Sequence, residues 1–280
     1  MRLIGIVLGL CLAVSAAQAQ TSTPAPVPVL ETYKTVGDQT LKAHIFGAAA
    51  KAPARRAAVL LFHGGGWTEG EAEWTYGRAT MMAEMGLLAI PIQYRLAREG
   101  VSPLDALADA CDAFAWTRAN AKRLGVDPKR VAAYGVSAGG QLSAAAGLGA
   151  CPGKGRSPDL MLLWSPALDV AEDGWFRKIM AGKEPAEVSP LALADRRGPP
   201  TAIVQGEADT LTPLKSAEAF CAKRRAAGGV CEINRYPGLG HLLTRNVRNQ
   251  ESNFDIDPQA SRDGFAKLQA FLTAHGYVRP

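Results

Sequence analysis

Ser137 stands in Gly135-Val136-Ser137-Ala138-Gly139-Gly140, after the apolar run Arg130–Tyr134 and ahead of a helical pattern that opens at Ala138. So sharp a strand-to-helix turn crowds the backbone and demands small residues on both sides of the serine. It also lifts the hydroxyl above the strand's carboxyl end, beside a helix N-terminus whose dipole favours developing negative charge. The chemistry on offer is nucleophilic attack, provided a base takes the hydroxyl proton. The chain holds four histidines, His44, His63, His241 and His275. His44 falls in an opening hairpin and His275 closes the last helix. His63 precedes Ser137 beside a glycine run and reads as a residue that orients that loop. His241 follows the last predicted strand in Tyr236-Pro237-Gly238-Leu239-Gly240-His241, on a loop from which a base can reach Ser137.

The imidazole needs a carboxylate to orient it and to stabilise its protonated form. Asp209 supplies one in Gln205-Gly206-Glu207-Ala208-Asp209-Thr210, just past the run Thr201–Gln205, with Glu207 as a rival nearer the strand end. The order Ser137, Asp209, His241 is the one that a nucleophile elbow on this kind of sheet uses. Upstream, His63-Gly64-Gly65-Gly66-Trp67 follows the run Ala57–Phe62. Three glycines in a row remove every Cβ from the loop, so backbone N–H groups can approach the oxygen of a tetrahedral intermediate. Gly65, Gly66 and Ala138 are the candidate donors. Trp67, Trp175 and Phe176 are candidate walls of an acyl or leaving-group pocket, with ordinary packing as the competing reading.

These residues must be held by strands that end near one another. Thr32–Val36 and Leu41–Phe46 predict an antiparallel pair around Gly37-Asp38-Gln39. Short apolar runs follow at Ala57–Phe62, Leu87–Gln93, Arg130–Tyr134, Leu160–Trp164, Thr201–Gln205 and Glu232–Tyr236, as expected of strands buried on both faces. Helical patterns lie between them over Thr75–Met85, Pro103–Leu124, Ala138–Leu148, Leu214–Ala227 and Ser261–His275, several ending at glycine. The alternation predicts an α/β fold with a mostly parallel, doubly wound sheet after an antiparallel N-terminal hairpin. Residues 167–199 break the pattern and predict a small lid with one short helix near Gly174–Met180.

Length and composition fit one such domain: 280 residues, 48% apolar and 20% charged. Arg2, the apolar stretch Leu3–Val14 and Ala17-Gln18-Ala19 predict a signal peptide over 1–19, too short for a comfortable bilayer span, followed by a Pro-rich lead-in over 20–29. The folded domain is then 30–280, exported to a periplasmic or extracellular space, with no stable membrane span after cleavage. Cleavage leaves Cys111, Cys151, Cys221 and Cys231. Cys221–Cys231 is the best-placed pair, and the alternative is that some of the four are buried thiols. The net charge of +5 is weak and scattered, which gives no case for nucleic acid. Arg196-Arg197 and Lys223-Arg224-Arg225 read as solvated surface. No CxxC or His-rich cluster suggests a zinc site.

The HGGGW loop, Tyr94-Arg95-Leu96, GVSAGG, the GEAD turn and the GLGH loop, in this order, resemble the hormone-sensitive-lipase-like and acetyl-esterase branch of the α/β-hydrolase superfamily. Ala119–Arg130 and Ser189-Pro190 are similar to that branch as well. The resemblance implies hydrolysis of a small-molecule or carbohydrate ester through an acyl-enzyme, with no metal or cofactor and with small acyl groups such as acetyl. Gln141, where relatives often carry His or Asn, and a long segment Asn246–Pro258 depart from the pattern and bear on the substrate. Two other readings share the triad order or the fold: a serine peptidase of the prolyl-oligopeptidase type, and a non-enzymatic binding protein. The absence of a large N-terminal propeller and the HGGG loop weigh against the first, and the retained triad against the second. Oligomeric state is not legible.

Overall fold

The computed structural model describes residues 27–48, 55–98, 100–151, 153 and 155–279. The expected signal peptide lies outside them. Of the lead-in only 27–29 are described, and Val29 already belongs to a strand. β1 (Val29–Val36) and β2 (Gln39–Ile45) pair antiparallel around Gly37, whose φ of +56° suits glycine in a tight turn.

Six further strands are β3 (Arg56–Phe62), β4 (Leu88–Pro91), β5 (Val126–Val136), β6 (Leu160–Trp164), β7 (Thr201–Gly206) and β8 (Cys231–Tyr236). They form one parallel sheet in the order β4-β3-β5-β6-β7-β8. Bridges from Ala43 to Ile92 and from Phe46 to Ala89 lay β2 antiparallel along its edge. The helices are α1 (Tyr76–Glu84), α2 (Pro103–Ala119), α3 (Ala121–Leu124), α4 (Ala138–Gly147), α5 (Gly174–Ile179), α6 (Leu214–Ala226) and α7 (Pro258–Ala274). The expected α/β architecture is the one the chain adopts.

Alternation along each strand divides the core. On β3, Ala58, Leu60 and Phe62 meet Phe114 of α2 and Leu142 of α4, whereas Val59 and Leu61 join Met82 of α1 and Leu268 of α7 on the other face. Phe220 of α6 packs with Met161 of β6 and Ile203 of β7 in a third cluster. The chain leaves β3 toward β4 on one side and leaves β5 toward β6 on the other. The carboxyl ends of β3 and β5 therefore bound the crevice where strand order reverses, the usual place for a ligand on such sheets.

Several elements differ from expectation. β5 starts at Val126, four residues early, because the Asp127-Pro128-Lys129 stretch stays extended: Val126 still pairs with Arg56 across a register shift. The long helix predicted over Pro103–Leu124 breaks at Asn120, whose side chain turns back onto the Trp116 carbonyl, and Gly125 ends α3 in the left-handed region. α7 starts at Pro258 because Asp257 caps it, accepting from Gln259 and Ala260 N–H groups. Arg224, expected on the surface, is only 1% exposed. Its guanidinium reaches the carbonyls of Arg196 and Gly198, so it ties α6 to the end of the lid segment.

Within 167–199, α5 is followed by a 3-10 turn at Pro185–Val188. Asp173 caps α5 by accepting the Phe176 N–H at 2.7 Å. Phe176, Met180 and Val188 are buried in the first core, which anchors this segment on the sheet. Cys221–Cys231 joins α6 to β8, and Cys111–Cys151 joins α2 to the loop after α4. No helix among the described residues is long and apolar enough to cross a membrane.

Candidate active site

The backbone at Ser137 has φ of 51° and ψ of −115°, a conformation a side chain rarely tolerates. The glycines around it are demanded by contact. A Cβ on Gly135 would fall on the Gly139 carbonyl, and one on Gly139 would fall on the carbonyl oxygens of Phe62 and His63. α4 thus passes directly against the end of β3, which brings Ser137 beside the glycine loop: a Cβ on Gly64 would lie 3.3 Å from that of Ser137. The Ser137 carbonyl starts α4 by accepting the Gly140 and Gln141 N–H groups.

His241 follows β8 and is 3% exposed. Its Nε2 lies 3.0 Å from Ser137 Oγ and its Nδ1 lies 2.9 Å from Asp209 Oδ2. An ionised carboxylate only accepts, so the proton is assigned to Nδ1 and the Nε2 lone pair faces the serine. Leu242 and Leu243 take positive φ of 56° and 65° to make the turn, and Leu242 N–H is held by Ser165 Oγ at 3.1 Å. Asp209 sits past β7 with its side chain fully buried. Oδ1 accepts from the N–H groups of Leu211 and Thr212, while Oδ2 takes Gln205 Nε2 and the Thr212 hydroxyl besides His241. The rival Glu207 is exposed.

Gly65 and Gly66 adopt φ of +105° and +55° in a turn closed by Thr68 and Glu69 N–H groups on the Gly65 carbonyl. Among the described residues, the backbone N–H groups of Gly65, Gly66 and Ala138 donate to no protein acceptor. His63 props this loop from behind: Nδ1–H donates to the Gly64 carbonyl at 2.6 Å, and the ring stacks on Tyr94 at 4.2 Å. The Tyr94 hydroxyl donates to the His63 carbonyl at 2.9 Å. Burial lowers the His63 pKa to about 4, so this imidazole is neutral at ordinary pH.

A pocket of about 670 Å³ opens over Ser137 and His241, a size suited to a small ligand. Trp67 and Trp175 line it. Phe176 does not: it is fully buried behind Trp67, ring centroids 4.7 Å apart, because neighbouring helical positions cannot both face the pocket. Trp67 Nε1 donates to Gln141 Oε1 at 3.0 Å, and Gln141 Nε2 donates to the Val188 carbonyl at 2.8 Å. Gln141 therefore links the glycine loop to the lid segment, and Trp175 Nε1 adds a second link through the Gly66 carbonyl at 3.2 Å. The mouth carries Trp74, Leu211 and Phe254, with Glu69, Asp173 and Glu251 around them. Among the described lining residues there is no lysine or arginine. Sequence reasoning missed Thr212 and Gln250, for the latter of which the long segment after His241 was the available signal. It singled out Gln141 only as a departure from related sequences, not for the link it makes.

The family described as alpha/beta hydrolase fold matches residues 59–245, more than half of the chain. The chain belongs to the α/β-hydrolase family. The family match, together with relatives named esterase and carboxylesterase, supports the hormone-sensitive-lipase-like branch. Esterase LipC of Mycobacterium tuberculosis is 30% identical over 68% of this chain and 54% of its own length. Carboxylesterase NlhH of the same organism is 37% identical over 65% of each chain. The hydrolase chain thus spans between half and two thirds of these relatives. Among solved structures, the esterase Est2 of Thermogutta terrifontis with propionate bound is similar, with a TM-score of 0.79 at 29% identity, covering 92% of this chain and 98% of that one. The same esterase phosphorylated by paraoxon is similar with a TM-score of 0.80 at 28% identity, over 91% and 97%.

Proposed function

We infer that this hydrolase is a serine esterase that cleaves short-chain acyl esters, acetyl esters above all, through an acyl-enzyme. The observation that carries the reading is the hydrogen-bonded series Ser137–His241–Asp209, set beside three unengaged N–H groups. In this mechanism His241 Nε2 takes the Ser137 proton as Oγ attacks the ester carbonyl. The N–H groups of Gly65, Gly66 and Ala138 receive the oxyanion, and Asp209 stabilises the imidazolium. His241 then returns the proton to the leaving alcohol, and water repeats the sequence on the acyl-enzyme with Ser137 restored.

Short acyl groups are favoured by the Trp67 wall, held from behind by its bond to Gln141 and its packing on buried Phe176, and by the propionate and butyrate bound to the Thermogutta esterase. For the alcohol half, exposed aromatics carry weight where they gather in one place, since a contiguous apolar patch rimmed by polar residues marks a ligand groove. Among the described aromatic residues only Trp74, Trp175 and Phe254 are exposed, and all three line this mouth. Aromatic faces, carboxylates and no cation suit a neutral, hydroxyl-rich ring, so acetylated carbohydrate is the natural substrate we infer. Two disulfides, together with the expected signal peptide, support export to an oxidising compartment.

The test is kcat/KM for p-nitrophenyl esters from acetate to decanoate, with p-nitroacetanilide as the matched amide. The expected result is a steep fall beyond butyrate and no amide cleavage. Preference for decanoate, or comparable amide hydrolysis, would refute the reading.

A further inference from the structure

One buried amide joins the loop that carries Asp209 to the loop that carries His241. Gln250 is 3% exposed, and its Oε1 accepts the His241 N–H at 2.8 Å and the Thr210 N–H at 3.1 Å. Its Nε2 donates to the Ala208 carbonyl at 2.8 Å and the Val247 carbonyl at 3.2 Å. That uses every hydrogen bond a primary amide offers. The orientation is set by the partners, because reversal would aim N–H at two backbone N–H groups.

The fit is close as well as saturated. A Cβ on Gly240 would stand 2.6 Å from Gln250 Cδ, so the glycine before His241 is what lets the amide approach. Gln250 makes no hydrogen bond to the side chains of Ser137, His241 or Asp209. It holds the backbone of His241 itself and of the two residues flanking Asp209. The Nδ1 to Oδ2 contact of 2.9 Å spans these two loops, and any slide of one past the other lengthens it.

We propose that Gln250 is a positioning residue that fixes the His241–Asp209 contact, and through it the basicity of His241. The proposal rests on the reading of Ser137, His241 and Asp209 as the reacting set. Gln250→Leu removes all four bonds. Gln250→Glu keeps both acceptor bonds but adds a negative charge beside His241.

The experiment measures kcat, KM and the pH profile of kcat/KM for p-nitrophenyl acetate, normalised to active sites titrated with paraoxon. For Gln250→Leu, kcat per titrated site falls roughly 10- to 100-fold, as a displacement near 1 Å would produce, with KM little changed. Its acid limb moves to lower pH, since an imidazole with a weakened carboxylate partner binds its proton less tightly. Gln250→Glu retains more kcat than the leucine variant, and its acid limb moves to higher pH. Wild-type kcat per titrated site with an unmoved acid limb in both variants, or a loss confined to the number of titratable sites, overturns the proposal. A wild-type protein that neither hydrolyses the ester nor reacts with paraoxon would instead overturn the underlying functional reading.

Discussion

The hydroxyl of Thr212 stands 3.1 Å from Nδ1 of His241, beside the Asp209 oxygen that the same nitrogen faces at 2.9 Å. Thr212 also touches that oxygen at 2.8 Å and the Ser165 carbonyl at 3.1 Å. One hydroxyl therefore sits at the meeting point of Asp209, His241 and the end of β6. Thr212→Val is expected to lower kcat for p-nitrophenyl acetate about tenfold, the worth of one good hydrogen bond, with Thr212→Ser retaining most activity. Asp209→Asn removes the charge and is expected to cost roughly 10⁴ in kcat. Equal losses for Thr212→Val and Asp209→Asn would contradict this ranking.

The glycines of the elbow differ from glycines elsewhere. A Cβ at Gly139 meets backbone oxygens of Phe62 and His63, which cannot swing aside. Gly139→Ala is expected to lose about 3 kcal/mol or more of stability, read from the urea midpoint. Gly77 lies in α1 with open space around its Cβ position. Gly77→Ala is expected to gain about 0.5–1 kcal/mol. A neutral Gly139→Ala would deny the packing of α4 on β3 described above.

His63 makes stability depend on pH. Burial holds its folded pKa at about 4 against an ordinary 6.5. Below the ordinary value the unfolded chain takes up a proton that the folded protein refuses. Stability is therefore full above that value, falls as pH drops toward 4, and flattens below. The loss attributable to this group is about 3 kcal/mol. His63→Asn keeps a donor for the Gly64 carbonyl but does not titrate. Its unfolding free energy should fall less than that of the wild type between pH 7.5 and 4, and parallel curves would exclude the assignment.

At the mouth, Trp74→Ala, Trp175→Ala and Phe254→Ala separate the two halves of the substrate. Each is expected to raise KM several-fold for acetylated xylo-oligosaccharide, at about 1–2 kcal/mol per lost aromatic contact, while p-nitrophenyl acetate changes little for Trp74→Ala and Phe254→Ala. Trp175→Ala also frees the Gly66 carbonyl and is expected to touch both substrates. Unchanged KM on the oligosaccharide in all three variants would remove carbohydrate from the reading.

The places of Ser137, Asp209 and His241 were legible because each follows an apolar run that ends a strand, and parallel strands deliver their carboxyl ends to one edge. The glycine loop was legible for the same reason. The contacts of Gln250 with Ala208, of Gln141 with Trp67 and Val188, and of Thr212 with Ser165 and His241 were not, since those partners lie far away in sequence and no local pattern marks a residue for a tertiary hydrogen bond. Trp175 and Phe176 show the limit at single-residue scale: adjacent in sequence, one faces the pocket and the other the core, according to how a short helix is turned. Arg224 shows it for charge, because loop carbonyls at Arg196 and Gly198 can satisfy a buried guanidinium that a sequence reader places in water. β5 ran past its expected start because pairing with β3 outweighed the turn signal of Asp127-Pro128.

The most direct test of the central claim is the mass of the intact protein after reaction with paraoxon, with the adduct mapped by peptide sequencing. The account predicts one diethylphosphoryl group per chain, on Ser137, with no adduct on Ser137→Ala and much slower labelling of His241→Ala. Labelling at another residue, or equal labelling of Ser137→Ala, would contradict it.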